Sequence, residues 1–287
     1  MAILDNRVGV ASAGLAAATV LLAGLGAWSA KALTPDGEFA AHRAVYELKL
    51  AQARGKSTAV SARGRILYNF SGSACEGYAL GFRQVSELDN GEGKVTLSDL
   101  RSNTWEDGSG KTYRFNSQNY LNQRLVDAVD GRAERQQSAI SVTLTKPSDR
   151  KVDLDVKIVF PTEHVRRIIE AAREGKTILD LPVFDGSENG EKVYNTLTVI
   201  GHAIAADGPG PTDAAAGQAL LAGLKRWPIT VSYFEKSAKA GEQIPVYSIA
   251  FELYENGISR ALMLDYNDFA ISGELKTLEI KDSKPCP

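Results

Sequence analysis

Histidine and cysteine are nearly absent from this chain of 287 residues, which has three of the first and two of the second. Metal centres built on nitrogen and sulfur need several such residues at short spacings. His42, His164 and His202 each stand without a second histidine or a cysteine at ligand spacing, so no metal site is expected. Net charge is also scarce. The 33 basic and 35 acidic residues leave −2, which gives no electrostatic ground for binding nucleic acid or an anionic membrane. No repeat of fixed period is present.

Motifs for phosphates and nucleophiles are missing as well. Gly108-Ser109-Gly110-Lys111-Thr112 resembles the end of a phosphate-binding loop, but Trp105 stands where the loop needs its first glycine. Tyr113-Arg114-Phe115 then alternates like a strand, so Glu106-Asp107-Gly108-Ser109 reads as a hairpin turn. Gly257-Ile258-Ser259-Arg260-Ala261 ends in alanine where a nucleophile elbow has glycine. Two carboxylate groupings remain: Asp180, Asp185 and Glu188, and Asp265 with Asp268. Opposed acids can hydrolyse glycosides on β folds, but Asp185-Gly186-Ser187-Glu188-Asn189-Gly190 has turn composition first. His164 opens a helix, a place where a histidine pKa falls and an anion can be oriented. No catalytic residue and no cofactor are assigned.

What the chain does have begins at its N-terminus. Val8 to Ala30 carries no charge, Arg7 precedes it, and Ala30-Lys31-Ala32 offers small residues at the positions a signal peptidase reads. Cleavage is expected after Ala32, with an uncleaved membrane anchor as the alternative. Leu25 stands where a lipoprotein signal would place its cysteine. Residues 33–39 are a short polar lead, and residues 40–287 form one β-rich domain. After export, Cys75 and Cys286 can pair in only one way, or remain two unrelated thiols. Cys286 lies between Pro285 and Pro287 at the end of the chain, where deep burial is difficult. No Cys-x-x-Cys supports a redox role, and a bond would remove the Cys75 thiolate.

The domain reads as an all-β, mainly antiparallel structure. Val152 to Phe160 alternates apolar and charged residues, and Ile140, Val142 and Leu144 alternate with Ser141, Thr143 and Thr145. Pro147-Ser148-Asp149 should join the two as a hairpin. Asn256-Gly257 predicts a two-residue type I′ turn, which would pair Phe251 with Leu262, Ile249 with Leu264 and Tyr247 with Tyr266. One helix is expected over residues 163–174, with Thr162 as N-cap, Gly175 as stop, and Val165, Ile168, Ile169 and Ala172 as its apolar stripe. That helix should lie on the sheet or in its mouth. Ala205 to Gly223 reads as an exposed Ala/Gly/Pro-rich excursion with a short helix from Thr212 or Asp213. A dozen or more strands must curl or split to bury one apolar face.

Several stretches resemble the envelope integrity protein B (EipB) family of exported alphaproteobacterial proteins. They are His42-Arg43-Ala44-Val45-Tyr46-Glu47-Leu48, Cys75-Glu76-Gly77-Tyr78, Thr104-Trp105-Glu106-Asp107-Gly108 and Phe160-Pro161-Thr162-Glu163-His164. Farther on come Phe184-Asp185-Gly186-Ser187, Leu253-Tyr254-Glu255-Asn256-Gly257-Ile258-Ser259, Leu264-Asp265-Tyr266-Asn267-Asp268-Phe269 and Cys286. The resemblance implies a periplasmic β-spiral or open barrel, a Cys75–Cys286 disulfide, and a part in envelope integrity without known enzymatic activity. Ala205 to Gly223 matches none of these stretches.

Three functions are weighed. The first is a non-enzymatic periplasmic protein that binds or scaffolds other envelope proteins. The second is a carrier of a lipid, acyl chain, lipoprotein or peptide in the curled sheet, and the third is a carboxylate hydrolase. A carrier requires an open apolar cavity, a scaffold an exposed apolar or edge patch, and a hydrolase a polar cleft with two close acids.

Overall fold

The computed structural model describes residues 39–55, 60–93, 95–206, 208, 213, 215, 221–235, 244–282 and 286. The expected signal segment and its cleavage site lie outside the described residues, as does Thr212. Fourteen strands follow one another: β1 (His42–Ala53), β2 (Ser61–Ser73), β3 (Gly77–Asp89), β4 (Val95–Glu106), β5 (Thr112–Leu121), β6 (Arg124–Arg135), β7 (Ala139–Lys146) and β8 (Arg150–Asp155). The helix α1 (Pro161–Arg173) intervenes, and then come β9 (Ile178–Val183), β10 (Tyr194–Ile200), β11 (Arg226–Glu235), β12 (Tyr247–Tyr254), β13 (Ser259–Asp265) and β14 (Phe269–Ile280). They make a single antiparallel sheet in the order β8-β7-β6-β5-β4-β3-β2-β1-β14-β13-β12-β11-β10-β9.

Alternation decides which face turns inward. Ala44, Tyr46 and Leu48 of β1 are buried, whereas Arg43 and Lys49 are exposed. So wide a sheet twists and must curl to cover its apolar face. Here it curls until the chain just beyond β8 reaches the opposite edge. Val159 bridges Val183, its N–H donating to the Pro182 carbonyl at 2.9 Å. The terminal strands β8 and β9 do not pair with each other, so the barrel is open. Phe115, Val129 and Leu144 from β5–β7 pack there against Phe160, Phe184 and Val193.

Four local expectations are corrected. The strand expected through Phe160 stops at Asp155, because Arg135 takes the Val156 and Ile158 carbonyls and Val159 joins β9 instead. Asn256-Gly257 does turn the chain, but in a three-residue loop. The Gly257 N–H donates to Tyr254 O, the Tyr254 N–H donates to Ile258 O, and Gly257 sits at φ 85°. A type I turn closed by a left-handed glycine gives this loop. It shifts the pairing near the turn by one residue, to Leu253–Ser259 and Glu252–Arg260. Left uncorrected, that slip would put every apolar residue on the wrong face. A bulge between Ala250 and Glu252 restores Ile249 opposite Leu264, and Phe251–Leu262 falls at the bulge.

Thr162 is not the N-cap. Phe160 holds that position in extended geometry, with Pro161 as the first helical residue. Val165 is half-buried, and His164 and Ala171 complete the buried stripe. Nor is Ala205 to Gly223 simply exposed. Its described residues Asp213, Ala215 and Leu221 are buried, and the latter two join the core under β1 and β14.

Candidate functional site

Hairpin connections fall alternately at the two ends of the curled sheet. One end receives α1, the β2–β3 turn with Cys75, the residues between β10 and β11, and the chain after β14. Cys75 and Cys286 are bonded there, with Cα atoms 5.6 Å apart. Ile168, Ile169 and Ala172 of α1 pack between Phe70 and Tyr78 on one wall and Trp227, Ile229 and Leu253 on the other. This end of the interior is filled.

Its polar groups are arranged around the helix. The Glu106 carboxylate, at the end of β4, accepts the Thr162 N–H at 2.7 Å and the Glu163 N–H at 2.8 Å. It supplies from another strand the cap that the local sequence lacks. Glu163 is held by Arg135 at 2.9 Å. Burial pushes the Glu106 carboxyl up to about 7, against the two backbone donors that favour its charge. Burial pushes the His164 imidazole down to about 4, with Thr196 Oγ1 at 3.4 Å from its Nε2.

These two groups pull stability in opposite directions with pH. Folded Glu106 keeps a proton that the unfolded chain releases near 4.5, so its contribution falls as pH rises from 4.5 to about 7. His164 stays neutral when folded while the unfolded chain binds a proton below 6.5, so its contribution rises from about 4 to 6.5. Each is worth on the order of 3 kcal/mol, and they nearly cancel between about pH 4.5 and 6.5. Thermal melts of Glu106→Gln between pH 4.5 and 6.5 should show stability rising with pH, and melts of His164→Gln should show it falling. Parallel melting profiles for wild type and both variants would contradict the assignment. His42, lowered by burial, adds to the rising slope and Asp185, raised by burial, to the falling one.

The opposite end differs. Leu50, Phe82, Leu88, Ile249, Leu262 and Phe269 face the same core as Leu48 and Leu264 yet are only partly buried. Inward-facing apolar side chains that keep accessible surface are of the kind that lines a ligand space. A row of aromatic rings runs along one wall: Tyr194 against Tyr233 at 5.8 Å, Tyr233 stacked on Tyr247 at 4.4 Å, Tyr247 near Tyr266 at 6.4 Å, and Tyr266 against Phe269 at 5.3 Å. Burial pushes the Tyr233 and Tyr247 hydroxyls above their ordinary value, although both rings keep exposed surface. On the facing wall, Gln84, Ser86, Ser117 and Asn119 occupy inward positions, and Asn119 Oδ1 is buried without a partner among the described residues. Val60, Val95, Leu121, Leu125, Ile244 and Tyr266, on loops and strand ends at this same end, are exposed.

The residues singled out in the sequence are scattered. His42 donates from Nδ1 to the Ala40 carbonyl at 2.7 Å, and its ring stacks on Tyr68. His202 is exposed. Asp180 points outward from β9, and Asp268 is exposed. Asp265 forms a two-point pair with Arg54 at 2.7 and 2.9 Å, which holds its carboxyl below the ordinary value. Asp185 accepts the Ser187 N–H at 2.9 Å, and Glu188 binds Lys192 at 2.6 Å and the Tyr194 hydroxyl. Asp107 accepts the Ser109 N–H, so the stretch resembling a phosphate loop is a hairpin turn. Among the described residues no three metal-ligating side chains lie together.

The residues that line the half-open interior were not picked out in the sequence. Their signal is a lapse in the alternation: the inward positions of β3 run Tyr78, Leu80, Phe82, Gln84, Ser86, Leu88, and those of β5 run Tyr113, Phe115, Ser117, Asn119, Leu121. Polar residues replace apolar ones just where the core stops.

Comparison with known proteins places these features in context. Residues 34–282 match a family model described as EipB-like. The cell envelope integrity protein EipB of Brucella abortus (strain 2308) is 36% identical over 242 residues, covering 84% of each chain. A crystal structure of a beta-barrel-like protein of a domain of unknown function from Brucella abortus superposes with a TM-score of 0.78 at 34% identity. It covers 85% of this chain and 99% of that one.

Proposed function

The chain belongs to the EipB-like family, and from that membership we propose that it is an exported, non-enzymatic protein of the periplasm that supports envelope integrity by binding an apolar envelope component. One observation supports the mode of action: the inward apolar side chains of Leu50, Phe82, Leu88, Ile249 and Phe269 pack on the core yet keep accessible surface, as the lining of an open space would. An acyl chain or other slender apolar group suits such a space, with Asn119, Gln84 and the tyrosine hydroxyls to meet its polar end. Asp265 and Glu188 are engaged by Arg54 and Lys192, and Asp185 by its own turn. This supports a binding role over hydrolysis.

Complementation of a deletion strain tests the reading. Loss of the gene should sensitise cells to detergents and cell-wall antibiotics. Leu88→Lys or Ile249→Lys, half-buried positions on the lining, should fail to rescue while the protein persists at wild-type abundance. Asp180→Asn, Asp268→Asn and His164→Ala should rescue whenever they are equally abundant. A stable carboxylate variant that fails, beside lining variants that succeed, would overturn the proposal.

A further inference from the structure

The outer wall carries a second feature, independent of the interior. At Gly131 of β6 an added Cβ would lie 2.6 Å from Phe115 Cζ and 2.8 Å from Leu144 Cδ2. The core therefore rises against the backbone, and a bulge between Asp130 and Gly131 bends the ladder to β7. On the outer side the result is a groove of about 560 Å³ crossing β4 to β7. Two rows of outward side chains line it: Asn103, Asn116 and Asp130 in one, Trp105, Arg114 and Arg132 in the other, with Thr143 and Thr145 at its β7 end.

Most of the groove's surface is apolar, and its charged groups, with Glu134 beside Arg132, are electrically balanced. Arg132 pairs with Glu134 at 2.5 Å, and the Asp130 carboxylate accepts from Asn116 Nδ2 at 2.8 Å. The Arg114 guanidinium lies 5.2 Å over the Trp105 ring, making a flat wall. A phosphate or a nucleic acid would ask for unopposed cations, and a peptide strand for a free sheet edge. These four strands have neighbours on both sides. An amide–carboxylate pair, two threonines and forked donors beside a planar wall instead suit vicinal hydroxyls, N-acetyl groups and the C–H faces of sugar rings. Crossing four strands covers about 14 Å, a length suited to a short run of linked sugars.

We propose that this groove binds the glycan strand of the cell wall, a polymer of N-acetylated amino sugars. The protein would then be held at the wall by its outer face, leaving the interior free. Co-sedimentation of the full protein with purified sacculi tests this, run in parallel on sacculi stripped of their peptides and on soluble lipopolysaccharide. Wild type should pellet with both sacculus preparations. Arg132→Glu, at an exposed side chain, and Asn116→Ala should each weaken binding by about tenfold or more while keeping the wild-type melting temperature. Trp105→Ala should do the same. Leu88→Lys, on the interior, should pellet as wild type does, which separates failure of the wall site from failure of the interior site. Wild type left in the supernatant, retention of only lipopolysaccharide, or unchanged sedimentation of both Arg132→Glu and Asn116→Ala would overturn the proposal.

Discussion

Replacing either cysteine by serine should lower the melting temperature by about 5–15 °C. The Cys75–Cys286 bond closes a loop with a sequence separation of 211 residues. A bond of this kind is worth about 2–4 kcal/mol in measured cases, and each kcal/mol moves the midpoint of a domain this size by about 2–4 °C. The geometry explains what is lost. Strand order places β1 and β2 between β14 and the β2–β3 turn, so the chain after β14 must run past two strand ends to reach Cys75. Without the bond that tail detaches, and the helix end of the interior loses a tether. Calorimetry of Cys75→Ser, Cys286→Ser and the double variant should give three similar drops, because the two residues act as one unit. A shift below about 2 °C, or additive drops, would show that the bond does not restrain the domain.

Substitution of Glu252 should be comparably severe. Its carboxylate takes Arg226 Nε and Arg260 Nη1, each at 2.6 Å, and Arg260 Nε also reaches Asp213 at 3.1 Å. The arginine side chains are only 6% and 5% exposed. Removing the shared acid leaves two buried guanidiniums without their common counter-charge, a change that costs about 3–5 kcal/mol. Glu252→Ala should therefore lower the melting temperature by about 6–20 °C. Asp213→Ala should cost less, since Arg260 keeps Glu252. Chemical denaturation of both variants checks the order, and a milder Glu252→Ala would reverse it.

How much of this was legible before the structure depends on how local each feature is. The strands β7 and β8 and their turn could be read because period-two alternation is a property of neighbours in sequence, and Ile140 does pair with Leu154. The turn at Asn256-Gly257 was visible too. Its length was not, because the same dipeptide serves both a two-residue loop and a type I turn closed by glycine, and a bulge at Phe251, farther along β12, hides the difference. The helix was found, but its cap lies on Glu106, 56 residues before Thr162. No local pattern reports such a partner. Asp213 looked exposed amid alanine, glycine and proline, since its burial depends on Arg260 from a distant strand.

The candidate site was the least legible. Inward residues alternate in the same way whether the space between them is filled or open, and only Gln84, Ser86, Ser117 and Asn119 marked the change. The carboxylates drew notice by type, yet the fold assigns Asp185 and Asp265 to turns and Asp265 and Glu188 to ion pairs.

Native mass spectrometry of the protein, purified from the periplasm without detergent, tests the binding account most directly. The expected result is the chain carrying one noncovalent apolar adduct, lost on organic extraction and absent from Leu88→Lys and Ile249→Lys. A wild-type chain at its sequence mass alone, which also fails to take up a fluorescent acyl probe, would contradict the account.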